Sequence, residues 1–114
     1  MTVQRERHFY VGTYASEEEE SLFHCILDPV SGEMRVVSGM GGIENSSYLT
    51  VSPSRNHLYA ASEKEYGEIF SYTIDSETKE LHLNDRKPSE GASPCYVETT
   101  PDGKMLLVAN YGGC

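Results

Sequence analysis

Residues 46–62, SSYLTVSPSRNHLYAAS, and residues 94–110, PCYVETTPDGKMLLVAN, are two copies of one pattern set 48 positions apart. At that offset Tyr48 meets Tyr96, Pro53 meets Pro101, Leu58 meets Leu106 and Ala61 meets Ala109, while Leu49 pairs with Val97 and Ser52 with Thr100. A second family of matches lies at offset 47. LFHCILDPVSGEM (22–34) aligns with IFSYTIDSETKEL (69–81), so that Phe23 meets Phe70, Leu27 meets Ile74, Asp28 meets Asp75 and Glu33 meets Glu80. A third joins HFYVGT (8–13), HLYAAS (57–62) and MLLVAN (105–110). Three families at nearly one period mark a repeated structural unit.

Each copy is written in β chemistry. Segments 9–13, 22–28, 34–38, 48–52, 57–62, 69–75, 81–84, 95–100 and 105–110 are short and rich in Tyr, Val, Ile, Leu, Phe and Thr. Phe70, Tyr72 and Ile74 alternate along one strand face, as do Phe23, Cys25 and Leu27. Turn signals separate them. Thr100-Pro101-Asp102-Gly103 sets Pro where a type I turn wants its fixed φ and Gly at the fourth position. Ser52-Pro53-Ser54-Arg55 is the same turn without the Gly, and 28–32 and 75–79 read as matching hairpin loops. No window of helical length shows a 3.6-residue apolar period.

Four short strands per repeat of about 48 residues is the signature of a β-propeller blade, and makes the chain all-β with mainly antiparallel sheets. With the strand before the Pro turn named A, the chain runs B-C-D over 8–38, A-B-C-D over 45–85 and A-B over 92–113. It starts without an A strand, as in propellers whose ring is closed by a strand from the other end of the chain.

Composition excludes several functions. Nine Lys and Arg against 18 Asp and Glu give a net charge of −9, which opposes nucleic-acid binding and gives an anionic substrate no long-range attraction. The run Glu17–Glu20 reads as a solvated loop. No segment approaches the ~20 apolar residues of a membrane span, and the first residues hold no apolar stretch of signal-peptide length, so a cytoplasmic protein without a membrane partner is expected. Cys25, Cys95 and Cys114 have neither metal-ligand nor redox spacing and read as reduced thiols; no metal site or cofactor is expected. Gly39-Met40-Gly41-Gly42 lacks the following Lys and helix of a phosphate loop and reads as a blade connector.

The strings GIENSSYLTVSPSRNHLYAASE and GASPCYVETTPDGKMLLVANYGG, with the opening FYVGTY, the strand GEIFSYTID and the closing VANYGG, resemble the seven-bladed lactonase propellers, from about Phe9 to Gly113. That family includes 6-phosphogluconolactonases and carboxymuconate cyclases. Ser46 stands where a Pro is common in it, and Ser62 where an Asn is common. Seven blades of this length need roughly 340 residues, so the resemblance implies that these 114 residues are about two blades from the N-terminal part of a longer protein. They are expected to be inactive alone and to need the remaining blades as partners.

The resemblance implies hydrolysis of 6-phosphogluconolactone to 6-phosphogluconate in the pentose phosphate pathway. A muconate-type cyclase or a non-enzymatic propeller scaffold are the alternatives. The His, Arg and Glu to which the family's catalysis is ascribed find no counterpart here, so catalytic positions remain unassigned. His8 and His57 share one repeat position and, with His24 and His82, read as structural or surface residues. What these blades can supply is substrate contact at the channel rim, from Asn45 and Ser47 before strand A, Glu63 after strand B, and Asn110 and Tyr111 after the next B strand. Thr13 and Tyr14 hold the equivalent place in the first repeat. Asn at such positions also serves turns without any ligand.

Overall fold

The β-rich stretches each form a strand in the computed structural model, which describes residues 6–112; Cys114, the third thiol of the sequence, lies outside them. The nine strands are β1 (Arg7–Gly12), β2 (Leu22–Leu27), β3 (Met34–Met40), β4 (Ser46–Val51), β5 (His57–Ser62), β6 (Glu68–Ile74), β7 (Leu81–Pro88), β8 (Ala92–Thr99) and β9 (Leu106–Gly112). All pairings are antiparallel, and the strands make three sheets ordered β1-β2-β3, β4-β5-β6-β7 and β8-β9. No helix occurs among the described residues.

The repeat extends to backbone conformation. Left-handed φ recurs at matched positions: Asn45 (50°) with Ser93 (54°), Arg55 (65°) with Gly103 (74°), Gly42 (86°) with Glu90 (63°), and Gly32 (79°) with Lys79 (66°). Register irregularities recur too, between Ser46 and Tyr48 and again between Pro94 and Tyr96, and between His24 and Cys25 and again between Ser71 and Tyr72. In both C–D turns an Asp side chain caps two following amides: Asp28 Oδ1 accepts from Val30 and Ser31, and Asp75 Oδ1 from Glu77 and Thr78.

Alternation in the middle sheet supplies both of its apolar faces. Leu58, Ala60, Phe70, Tyr72 and Ile74 face the first sheet and bury Leu22 and Ile43 with it, with Tyr10 and Leu49 packed on the cluster. Ala61 and Ile69 face the other way and bury Val97, flanked by Leu106 and Val108. Matched residues Leu49 and Val97 therefore each pack on the preceding sheet. The sheets meet through β1, β4, β5 and β8, while β3 and β7 stay apart, so the A strands lie at the inner edge of a fan. Its Cα radius of gyration is 14.8 Å, against about 13 Å for a closed globule of this length. Tyr48 and Tyr96, equivalent residues of successive A strands, sit with ring centroids 4.8 Å apart.

The two seams between sheets are closed differently. At the first, Ser46 Oγ is buried, accepts the Thr13 amide at 3.3 Å and donates to the Ser21 carbonyl at 2.7 Å. A Cβ on Gly12 would lie 2.0 Å from the Ser46 carbonyl oxygen, so only Gly allows this approach. At the second seam the matched residue is Pro94, whose Cδ lies 2.3 Å from where a Cβ on Gly67 would be. Ser46, the departure from the family's common Pro, thus trades ring packing for two hydrogen bonds.

Several boundaries differ from the sequence expectation. Ser47 lies inside β4, and Asn110 and Tyr111 lie inside β9, because pairing with β5 and β8 continues past the apolar residues. β7 runs on from the expected 81–84 through the polar residues Asp85–Lys87, which carry no strand signal; pairing with β6 and the Arg86–Glu68 bond hold them extended. Gly39 and Met40 belong to β3, which leaves Gly41 and Gly42 as the connector, with the Gly42 amide on the Glu17 carbonyl at 2.8 Å.

Candidate functional site

B–C loops and D–A loops share one end of the fan, and the hairpin turns occupy the other. The shared end is stitched between sheets by backbone. The left-handed turn at Asn45 aims its amide back at the Ala15 carbonyl at 2.9 Å, and the matched Ser93 amide reaches the Lys64 carbonyl at 2.8 Å. Asn45 then closes a two-bond clasp on Glu63: its carbonyl accepts the Glu63 amide at 3.0 Å, and its Nδ2 donates to the Glu63 carbonyl at 3.1 Å. Beside it Ser62 Oγ donates to the Glu44 carbonyl at 2.5 Å.

On this platform the Tyr14 hydroxyl, from the first sheet, donates to Glu63 Oε1 of the second at 2.8 Å. The Glu63 carboxylate raises the Tyr14 pKa above its ordinary 10, mainly through that bond, so the phenol stays protonated and a donor. Ser47 Oγ is buried without a hydrogen-bond partner, yet lies near enough to oppose part of that effect. Cys95, exposed and at the repeat position of Ser47, adds a small upward push. The second Glu63 oxygen makes no hydrogen bond among the described residues.

The structure therefore brings Tyr14, Asn45, Ser47 and Glu63 together. Asn45 is a positioning residue: its backbone and Nδ2 are engaged in holding Glu63. Asn110 and Tyr111 stand one sheet further on and make no hydrogen bond to those four among the described residues. Asn110 Nδ2 donates to the Ser89 carbonyl at 3.0 Å, and its buried Oδ1 has no partner. A Cβ on Gly91 would come within 2.7 Å of Asn110 Nδ2, so that glycine admits the amide. Tyr111 is 84% exposed. Cys95 is a rim residue that the sequence reading passed over; its equivalence to Ser47 at offset 48 was the available signal.

Other groups lie away from this rim. His8 Nδ1 and His24 Nε2 are 2.8 Å apart within the first sheet. Burial lowers the His24 pKa below 6.5, helped by His8, while Glu80 opposes the shift. An open hollow of about 830 Å³ at the hairpin-turn end is bounded by β1 and β4. Its walls are unpaired sheet edges, so it is a gap between sheets. No three His, Cys, Asp or Glu side chains among the described residues are grouped to hold a metal ion, and no described helix is long and apolar enough to cross a membrane.

A comparison with protein-family models matches residues 8–114 to the lactonase seven-bladed β-propeller. The chain belongs to that family. A 6-phosphogluconolactonase of Formosa agariphila is 31% identical over 106 residues, which cover 90% of this chain and 30% of that protein. The 6-phosphogluconolactonase of Bacillus subtilis is 26% identical over 103 residues. Among solved structures, one from Bacteroides uniformis with a provisional 6-phosphogluconolactonase assignment superposes with a TM-score of 0.84 at 33% identity, covering 96% of this chain and 32% of its own. The periplasmic gluconolactonase of Pseudomonas aeruginosa gives 0.85 at 25% identity, over 95% of this chain and 32% of its own. The chain spans about 30% of the length of these curated relatives. Its three sheets superpose on part of the family's propeller, and the Tyr14–Glu63 rim lies where the first and second sheets meet.

Proposed function

We propose that these residues form part of a lactonase that hydrolyses a sugar lactone of the 6-phosphogluconolactone type, and that their rim binds the substrate without supplying the catalytic base. The observation that carries this reading is Glu63, whose backbone is clasped by Asn45 and whose carboxylate accepts from Tyr14 of the neighbouring blade, its second oxygen having no hydrogen-bond partner among the described residues. Lactone hydrolysis needs a base for water, donors for the developing oxyanion and a grip on the sugar. A carboxylate with an adjacent phenol suits the third task, because sugar hydroxyls can donate to the second Glu63 oxygen and to the Tyr14 phenol oxygen, whose own hydrogen is engaged by Glu63. Base and oxyanion groups then come from other blades, which leaves the 114-residue chain inactive alone.

A cytoplasmic location belongs to the same proposal, supported by the free thiols Cys25 and Cys95; cell fractionation checks it. The function is tested with the full-length protein that carries these residues. It should accelerate 6-phosphogluconolactone hydrolysis well above the spontaneous rate and leave muconate-type lactones untouched. Hydrolysis at the spontaneous rate would refute the proposal, and turnover of a muconate-type lactone alone would replace it with the cyclase reading.

A further inference from the structure

The cations among the described residues are sorted by end. Arg7 and Arg35 lie at the starts of β1 and β3, Arg55 and Lys104 in the two A–B turns, and Lys79 in a C–D turn, all at the end remote from the rim. Lys64, Arg86 and Lys87 lie toward the rim, and each faces a carboxylate. Lys64 Nζ is 2.8 Å from Glu68, Arg86 is 2.6 Å from Glu68 and 3.3 Å from Glu17, and Lys87 is 3.9 Å from Asp85. Against these the loops of the rim carry Glu17 to Glu20, Glu44, Glu63, Glu65 and Glu90. What the inner rim offers beyond charge is neutral: the Tyr14 hydroxyl, the Ser47 hydroxyl and the Asn110 amide oxygen, the last two unpartnered.

A phosphate needs paired cationic donors. One placed about 5 Å from the Glu63 carboxylate would instead lose about tenfold in affinity even at the dielectric constant of water. We infer that this arc of the rim is a hydroxyl-reading subsite, in which Glu63 and Tyr14 grip the polyol part of the sugar lactone while its phosphate is held on an arc built by other blades. The inference rests on the lactonase proposal and adds which part of the substrate these blades contact. Glu63 is here a substrate-positioning residue that sets KM, with no part in the chemical step.

The test compares gluconolactone and 6-phosphogluconolactone as substrates of the full-length protein, as wild type and as Glu63→Gln and Tyr14→Phe. Glu63→Gln keeps the size of the side chain and should raise KM for both lactones by about tenfold, the worth of one charge-assisted hydrogen bond. It should leave kcat and Tm close to wild type and the preference between the two lactones within about twofold. Tyr14→Phe should move KM in the same direction by about threefold. A gain for the phosphorylated lactone alone in Glu63→Gln would place the phosphate beside Glu63 and overturn the inference. So would unchanged KM values in both variants, or a fall in kcat at constant KM. A wild-type protein inert on both lactones would remove the underlying proposal itself, an outcome distinct from any of these.

Discussion

Replacing Glu68 by Gln perturbs the ion cluster of the middle blade from which Arg86 reaches across the seam to Glu17 of the first. Glu68 Oε1 accepts from Arg86 Nη2 at 2.6 Å and from Lys64 Nζ at 2.8 Å, and Oε2 accepts from Arg86 Nε at 3.0 Å. Arg86 continues across the seam to Glu17 at 3.3 Å, and its guanidinium lies 4.4 Å from the Phe70 ring centroid. Chiefly through the Arg86 bonds, the Glu68 pKa falls from 4.5 to about 2. At face value that drop corresponds to about 3 kcal/mol. The Arg86 side chain is 39% exposed, and solvent screening brings the expectation to about 1–2 kcal/mol. A depressed carboxylate pKa stabilises the fold above the unfolded value of 4.5 and ceases to do so as pH falls through about 2. Glu68→Gln should therefore lower Tm by about 5–10 °C at pH 7, and the gap should close progressively between pH 4.5 and pH 2. Paired thermal melts at pH 7, 4 and 2, followed by far-UV circular dichroism, read this out. A gap of the same size at every pH, or none at pH 7, would refute the electrostatic account of this cluster.

Three further outcomes follow from the same geometry. His24 is buried with a lowered pKa, so stability should decline as pH drops below about 6.5, and His24→Gln should flatten that decline between pH 7 and 5 in urea titrations. Arg55 occupies the left-handed position that Gly103 fills in the next repeat; Arg55→Gly should stabilise by up to about 1 kcal/mol and Gly103→Ala should destabilise by about as much, measured by urea midpoints. Val11 and Val36 on the first sheet, and Met105 and Leu107 on the third, are exposed on faces turned away from the middle blade. The 114-residue chain should consequently associate in sedimentation velocity, and a single monomeric boundary at all concentrations would contradict this.

The blades were legible because their signals are local and repeated. Nine β-rich segments stood in the sequence, and nine strands occupy those places. What stayed hidden depends on register or on a neighbouring sheet. Polar residues 85–88 become strand only because β6 pairs with them. His8 meets His24 only through the diagonal that the β1–β2 register sets. The role of Asn45 as a clasp rests on its left-handed φ, which an Asn permits without requiring. Tyr14 and Glu63 follow matched residues, Thr13 and Ser62, and equivalent positions of adjacent blades are neighbours near the axis. Their proximity was readable in outline, as was that of Tyr48 and Tyr96; the hydrogen bond between them was not.

The most direct measurement is a crystal structure of the full-length protein with a hydrolysis-resistant analogue of 6-phosphogluconolactone. The account predicts ring hydroxyls within hydrogen-bond distance of Glu63 and Tyr14, with the phosphate on another arc. An analogue seated at the hairpin-turn end near Arg55 and Lys104, or with its phosphate against Glu63, would contradict it.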